Sequence, residues 1–276
     1  RFPASVCDGL ERDKGPYAWA GQYMQSPAPR GGAILKDEFW QLWDRDVYPN
    51  FEFIVASLDP AFTEKEENDP SALTVWGVFR QGTDETIPPV PDHLGRHKYW
   101  ESLGHLAENP KIMLLYAWEE RLQFSDVIEK VIETCVPSRN NGKPTFPVDK
   151  LLIEAKGSGQ SVGQELHRMI RGSGNLGVEL IDPKKYGDKV ARVQSIQHLF
   201  SDGMVYAPDK AWADKVIHQC GVFPKGSHDD LVDTVSQALR YLRDQGFALK
   251  RSEYKDAAEE EMQYTGRSSN VPLYGL

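Results

Sequence analysis

The side chains in this sequence that could do chemistry are carboxylates, and they fall at three places. Asp59 ends the apolar run Phe53-Ile54-Val55-Ala56-Ser57-Leu58 and precedes Pro60. In an extended run, alternation puts Phe53, Val55, Ser57 and Asp59 on one face. Glu154 stands inside Leu151–Ala155, where an acid is costly unless it is paired, hydrogen-bonded or metal-bound. Ser227-His228-Asp229-Asp230-Leu231-Val232-Asp233 opens a helical pattern whose apolar stripe is Leu231, Val235, Leu239 and Leu242. Asp229, Asp230 and Asp233 fall on another arc of that helix. Three or four carboxylates from strand ends and one helix start suit a hard cation such as Mg²⁺ or Mn²⁺, which takes oxygen ligands and keeps several waters. Two such ions about 3.5–4 Å apart can activate a water and stabilise the leaving oxygen of a phosphodiester. Glycoside hydrolysis also uses acids, but needs only two.

Each feature also has a plainer reading. Asp59-Pro60 is a common strand-ending turn. Glu154 could reach solvent at a strand end beside Lys156. Ser227 with Asp230 fits a capping box, and acids in a first turn gain from the helix dipole. That accounts for one or two acids more easily than for three clustered like charges with a histidine. His228 is a ligand, a proton carrier or an ordinary surface residue at a helix start. The Gly157-Ser158-Gly159-Gln160 turn offers backbone N–H groups to an anion, or simply starts a helix. No GxxxxGK[ST] run occurs anywhere, so there is no sign of ATP hydrolysis.

The elements that must position these residues are legible as periodicities. Residues 53–58, 72–79 and 111–118 read as three consecutive strands. A helix follows at about 124–135, a buried strand at Leu151–Ala155, and a helix after the Gly157-Ser158-Gly159 turn. Then come a strand at 178–181, a helix at about 188–201, a short extended piece at 204–206, and helices at about 210–220 and 229–243. This predicts an α/β fold, a mixed sheet of antiparallel meander plus parallel strands flanked by helices. Phe39, Trp40, Trp43 and Tyr48 lie in aromatic-rich turns. Residues 1–36 read as a linker or arm, 37–245 as the domain, and 81–110 as an insertion or long loop. Past Gln245 the periodicity fails, and 246–276 reads as a flexible tail.

The 276 residues carry a net charge of −9, which argues against a protein that coats nucleic acid. No run approaches the ~18 apolar residues of a membrane span. Three scattered cysteines (Cys7, Cys135, Cys220) argue against a disulfide framework or structural zinc site and fit a reducing compartment. The acidity is local: 37–70 hold ten acids and two bases, and the candidate site acids contribute more. Bound divalent ions would offset that charge. Residues 156–192 hold seven bases against four acids, with Lys156, Lys184, Lys185 and Lys189 the candidates for a DNA backbone or for a solvated helical face. DNA binding by this chain alone is expected to be weak and salt-sensitive.

The order of an Asp ending the first strand of a meander, a Glu on a later strand and an acid cluster opening the last helix resembles the ribonuclease H-like nuclease superfamily. Within it, Tyr17–Gly32 resembles the segment joining ATPase and nuclease domains in large terminase subunits of tailed bacteriophages. Leu58-Asp59-Pro60, Leu152-Ile153-Glu154-Ala155-Lys156-Gly157-Ser158-Gly159 and His228-Asp229-Asp230-Leu231-Val232-Asp233 are similar to that family's nuclease motifs. The resemblance covers about 17–243. It implies a ribonuclease H-like endonuclease that cuts concatemeric double-stranded viral DNA during genome packaging, with a missing N-terminal ATPase domain. It further implies two Mg²⁺ or Mn²⁺ ions held by Asp59, Glu154 and acids of 229–233, Asp230 and Asp233 first and Asp229 in reserve. A portal protein and a small terminase subunit would be partners, no membrane would be involved, and the setting would be the host cytoplasm. The isolated domain is expected to be monomeric. A junction resolvase, a transposase core, or a non-catalytic docking module of a packaging motor are the competing readings.

Overall fold

The computed structural model describes residues 33–45, 47–61, 70–80, 109–137, 145–155, 158–170, 176–182, 187–226, 228–250 and 253. The strands are β1 (Gln41–Trp43), β2 (Phe53–Asp59), β3 (Ser71–Arg80), β4 (Pro110–Glu120), β5 (Lys150–Glu154), β6 (Gly177–Ile181) and β7 (Val205–Pro208). The helices are α1 (Phe124–Cys135), α2 (Ser158–Ile170), α3 (Lys189–Ser201), α4 (Ala211–Val222) and α5 (Asp230–Asp244). One seven-stranded sheet has the order β1-β7-β4-β3-β2-β5-β6. β2, β3 and β4 form the antiparallel meander. β5 joins β2 in parallel, β6 joins β5, and β7 and β1 extend the other edge in parallel. This is the mixed sheet of antiparallel meander plus parallel strands, flanked by helices, expected from the order of strands and helices. Only β3 runs against the other strands, so β2, β4 and β5 all end at the same edge. Carboxyl ends of such strands are where α/β sheets place ligands.

Strand alternation divides the core in two. Val55, Ala72, Trp76, Val78, Ile112, Leu114 and Leu152 face α3, α4 and α5. Ile54, Ala56, Leu58, Leu73, Val75, Leu151 and Ile153 face α1 and α2. Both faces of β3 are buried along its whole length, hence its nearly continuous apolar run. The α5 stripe Leu231, Val235, Leu239 and Leu242 is buried on the sheet, and Gln237 donates from Nε2 to Ser57 Oγ at 3.0 Å. Ser57 and Asp59 therefore share the α5 side of the sheet with Glu154, two residues past Leu152.

The aromatic-rich turn expected around Trp40 and Trp43 is in part a strand. Gln41–Trp43 pairs in parallel with β7, Gln41 opposite Tyr206. Three residues are too few to show a period, and the strand exists only through that long-range pairing. Past Asp244, Phe247 stacks on Phe53 (4.2 Å, 12° between planes) and Ala248 is buried, so 246–250 pack with the domain. Of the 251–276 segment only Glu253 is described, where it accepts from both Arg243 nitrogens. Residues 1–32 and 81–108 lie outside the described residues. Cys135 and Cys220 are buried thiols whose ionisation burial disfavours; Cys7 lies outside. No helix among the described residues is long and apolar enough to cross a membrane.

Gly159 shows what the glycine turn is for. A Cβ there would lie 1.8 Å from the backbone oxygen of Glu154, because α2 starts directly against the end of β5. Gly157 is outside the described residues. The Gly159 requirement is close packing of helix on strand, and its object is the residue that carries the buried acid. Gly159→Ala is expected to cost about 2–4 kcal/mol of stability in urea unfolding, as forced separation of a packed contact does. A variant within 0.5 kcal/mol of the parent, roughly a surface-substitution effect, would show that α2 can move away freely.

Candidate functional site

The carboxylates gather at the carboxyl edge of the sheet, on the α5 side. Leu58 pairs with Ile153, so Asp59 and Glu154 lie side by side at the ends of adjacent parallel strands. The N-terminal turn of α5 crosses this edge and brings Asp230 and Asp233. Asp229 is the N-cap residue, yet its side chain makes no capping hydrogen bond. It is held instead by Lys189, whose Nζ is 2.7 Å from both Asp229 Oδ1 and Asp233 Oδ2. Arg192, one turn further along α3, lies 3.4 Å from Glu154 Oε2 and 3.1 Å from Asp233 Oδ1. The start of α3 is fixed by Asp188, whose Oδ1 accepts from Ala191 N–H at 2.8 Å. Lys189 and Arg192 are three apart and so share a helix face turned to the acids.

Among the described residues five acids thus meet two bases, and the excess negative charge shows in their protonation. Burial holds the Asp59 carboxyl well above the usual range, and the charges of Asp233, Glu154 and Asp230 push the same way, against Lys189. Burial together with Glu119 and Asp229 pushes Asp230 up to about 6. Asp233 is also raised, by burial first, although Lys189 and Arg192 work against that. Burial alone would lower Lys189, but Asp233 and Asp229 outweigh it and its ammonium form is favoured.

Every acid expected from the sequence is therefore drawn into one cluster: Asp59, Glu154, Asp229, Asp230 and Asp233. Lys189, a candidate DNA contact, has its ammonium turned into that cluster. Lys156, Lys184 and Lys185 lie outside the described residues, as does Ser227 of the expected capping box. His228 is exposed and lines a groove of about 480 Å³ with Arg121, Lys215 and His218, beside the acids rather than among them. Glu119 carried no sequence signal of a site role. Arg192 is legible as one of the seven bases of 156–192, and its spacing of three from Lys189 is the hint that the two act together. Glu119 ends a strand that reads as plain core.

Among the described residues, no three His, Cys, Asp or Glu side chains close into a ready-made metal cage. Lys189 and Arg192 hold the oxygens that a cation would take. The fit to hard divalent ions is one of donor chemistry and charge: carboxylate oxygens only, three of the acids raised in pKa, and an excess of negative charge at a sheet edge.

No family model matches the sequence, and no curated protein matches it. In structure, the chain is similar to the large terminase nuclease from thermophilic phage G20c with bound magnesium, at 13% identity and a TM-score of 0.45 over 78% of this chain and 98% of that one. It is similar to the same nuclease with bound zinc, at 13% identity and a TM-score of 0.42 over 75% and 97%. The human cytomegalovirus terminase nuclease domain is a third structure like it, at 14% identity and a TM-score of 0.41 over 78% of this chain and 90% of that one.

Proposed function

We propose that this chain is a divalent-metal-dependent endonuclease of the large-terminase kind, cutting concatemeric double-stranded viral DNA during genome packaging. The observation that supports this is the convergence of five carboxylates from β2, β5 and α5 on one sheet edge, where among the described residues two bases, Lys189 and Arg192, pair with them. Asp59, Glu154, Asp230 and Asp233 would hold two Mg²⁺ or Mn²⁺ ions, with Asp229 as a further oxygen donor. Bound there, the ions would supply an activated water and neutralise charge on the leaving oxygen. Arg192 steadies Glu154 and Asp233 at the edge where the phosphodiester would lie. Lys189 balances Asp229 and Asp233 when the site is metal-free. Portal protein and small terminase subunit, in the host cytoplasm, belong to the same reading and rest on the motif resemblance.

Purified protein is expected to nick and then linearise supercoiled plasmid in millimolar Mn²⁺ or Mg²⁺ and to stop on addition of EDTA. Binding to duplex DNA is expected to weaken steeply with salt. A protein that binds Mn²⁺ yet leaves plasmid intact, or that cuts only branched DNA, would overturn the terminase reading.

A further inference from the structure

The β-sheet carries one more carboxylate in line with the acids, and a bulge puts it there. In β4, Val75 of β3 faces Tyr116 while Trp76 faces Leu114, so Leu115 is the extra residue of a β-bulge. Ile112 and Leu114 face the α5 side before the bulge; Ala117 faces it afterwards. Without the bulge, Glu119 would face the α1 side; with it, Glu119 faces α5. The register then runs Glu119, Ala72, Asp59 across three strands, with Glu154 next in line. Glu119 and Asp59 are two strands apart, about 9–10 Å, with the small side chain of Ala72 between them.

Glu119 does not simply join the cluster. Its side chain is 8% exposed, its Oε2 is 2.6 Å from Lys215 Nζ, and its Oε1 accepts from Gln219 Nε2 at 2.8 Å. The same buried Gln219 uses its Oε1 to accept from Leu231 N–H at 3.2 Å. Leu231 is the second residue of α5, and its N–H is one of the helix-start donors without an intrahelical acceptor. The usual partner for such a donor is the N-cap side chain. Here that side chain, Asp229, is turned to Lys189, and Gln219 of α4 does the capping across the interface.

We propose that Glu119 and Gln219 are positioning residues for the acid cluster. Through the Glu119–Gln219–Leu231 N–H relay they fix the first turn of α5, and with it the placement of Asp230 and Asp233 against Asp59 and Glu154. The relay leaves Asp229 free of capping duty, so its carboxylate belongs to the cluster as well. This inference rests on the metal-dependent nuclease reading.

Two readouts test it, neither of them cleavage. Mn²⁺ affinity is measured by isothermal titration calorimetry, and exchange of the Leu231 amide by NMR. Gln219→Leu keeps the bulk and loses both hydrogen bonds. It is expected to weaken Mn²⁺ binding by about 10–100-fold, the usual cost of losing a residue that orients ligands, and to speed Leu231 amide exchange on the order of tenfold. Glu119→Gln keeps an oxygen acceptor for Gln219; it loses the Lys215 ion pair and the charge that helps raise Asp230, so Leu231 amide exchange is expected to stay parent-like and Mn²⁺ affinity to change by less than about tenfold, well short of the Gln219→Leu loss. Should Gln219→Leu fail to fold, Gln219→Met, whose flexible side chain likewise offers no oxygen to Leu231 N–H, takes its place with the same losses expected. Parent-like Mn²⁺ affinity in Gln219→Leu, with the parent itself binding Mn²⁺, overturns the positioning role. So does a Glu119→Gln variant as impaired as Gln219→Leu. A parent that binds no Mn²⁺ overturns the nuclease reading and the positioning role with it.

Discussion

Asp59→Ala is expected to lose plasmid cleavage by on the order of 10³-fold or more, while the metal-free protein becomes more stable by about 1–2 kcal/mol. The two effects share one cause. Asp59 sits where burial and three neighbouring acids, Asp233, Glu154 and Asp230, all disfavour its charge, outweighing Lys189, which favours it. A carboxylate in that position costs the metal-free fold energy, and among the described residues it has no ion-pair partner to offset that cost. A structural carboxylate behaves in the opposite way, because removing it leaves a buried cation unmatched. Removing Asp59 leaves Arg192 still between Glu154 and Asp233, and Lys189 still between Asp229 and Asp233. Losing one oxygen donor of a two-ion site removes several kcal/mol of transition-state charge stabilisation, which is the 10³-fold. Thermal unfolding in EDTA and cleavage assays in Mn²⁺ check the two halves separately. If Asp59→Ala unfolded several degrees below the parent, Asp59 would be a structural residue and its place in the site would be lost.

What the sequence allowed, and what it did not, follows from the range of the interactions. The strands at 53–58, 72–79, 111–118 and 151–155 are legible because burial on a sheet demands runs of apolar and β-branched residues, a local property. The helix beginning near 229 is legible for the same reason, since Leu231, Val235, Leu239 and Leu242 form one stripe. Asp59 and Glu154 stand out because an acid inside or at the end of such a run conflicts with its surroundings. Their adjacency is a matter of register, set by pairing between residues almost 100 positions apart, and no local pattern encodes it. The bulge at Leu115 is invisible for a related reason: Tyr116 and Leu115 both pack on the α1 side, and an alternation count through them assigns Glu119 to the wrong face. Gln219 is uncharged and sits in an ordinary helix, so its bond to Leu231 N–H has no signature. Asp229 was readable as an acid at a helix start, but the first expectation for such a residue is capping. Only the approach of Lys189 from α3 shows why its side chain turns elsewhere.

Divalent metal is expected to raise the melting temperature, and to raise it more at pH 8 than at pH 5. Asp230 is pushed from its ordinary 3.8 to about 6, and Asp59 and Asp233 are raised as well. In each case the folded protein binds the proton more tightly than the unfolded chain does. The stabilisation that comes with those protons is fully present below about pH 4. It is lost as pH rises through the raised values, so the metal-free protein loses stability between roughly pH 4 and pH 7 from these groups. Asp230 is partly open to solvent, which screens its share to about 1 kcal/mol. Metal acts in the other direction along the pH axis. It binds the ionised carboxylates, so at pH 5 it competes with protons, and at pH 8 it meets the full repulsion among Asp59, Asp230 and Asp233. At a metal concentration about 100 times the dissociation constant, binding adds about 2.7 kcal/mol. For a domain of this size that is roughly 5–10 °C. Differential scanning calorimetry with and without Mn²⁺ at the two pH values measures both slopes. The metal-free melting temperature should fall from pH 5 to pH 8, and the Mn²⁺-induced rise should grow over the same interval and vanish in Asp59→Ala. Equal rises at both pH values would mean that Lys189 and Arg192 already neutralise the cluster. The carboxylates would then be ordinary ion-pair partners of α3, and the sheet edge would have no unmet charge for a metal to fill.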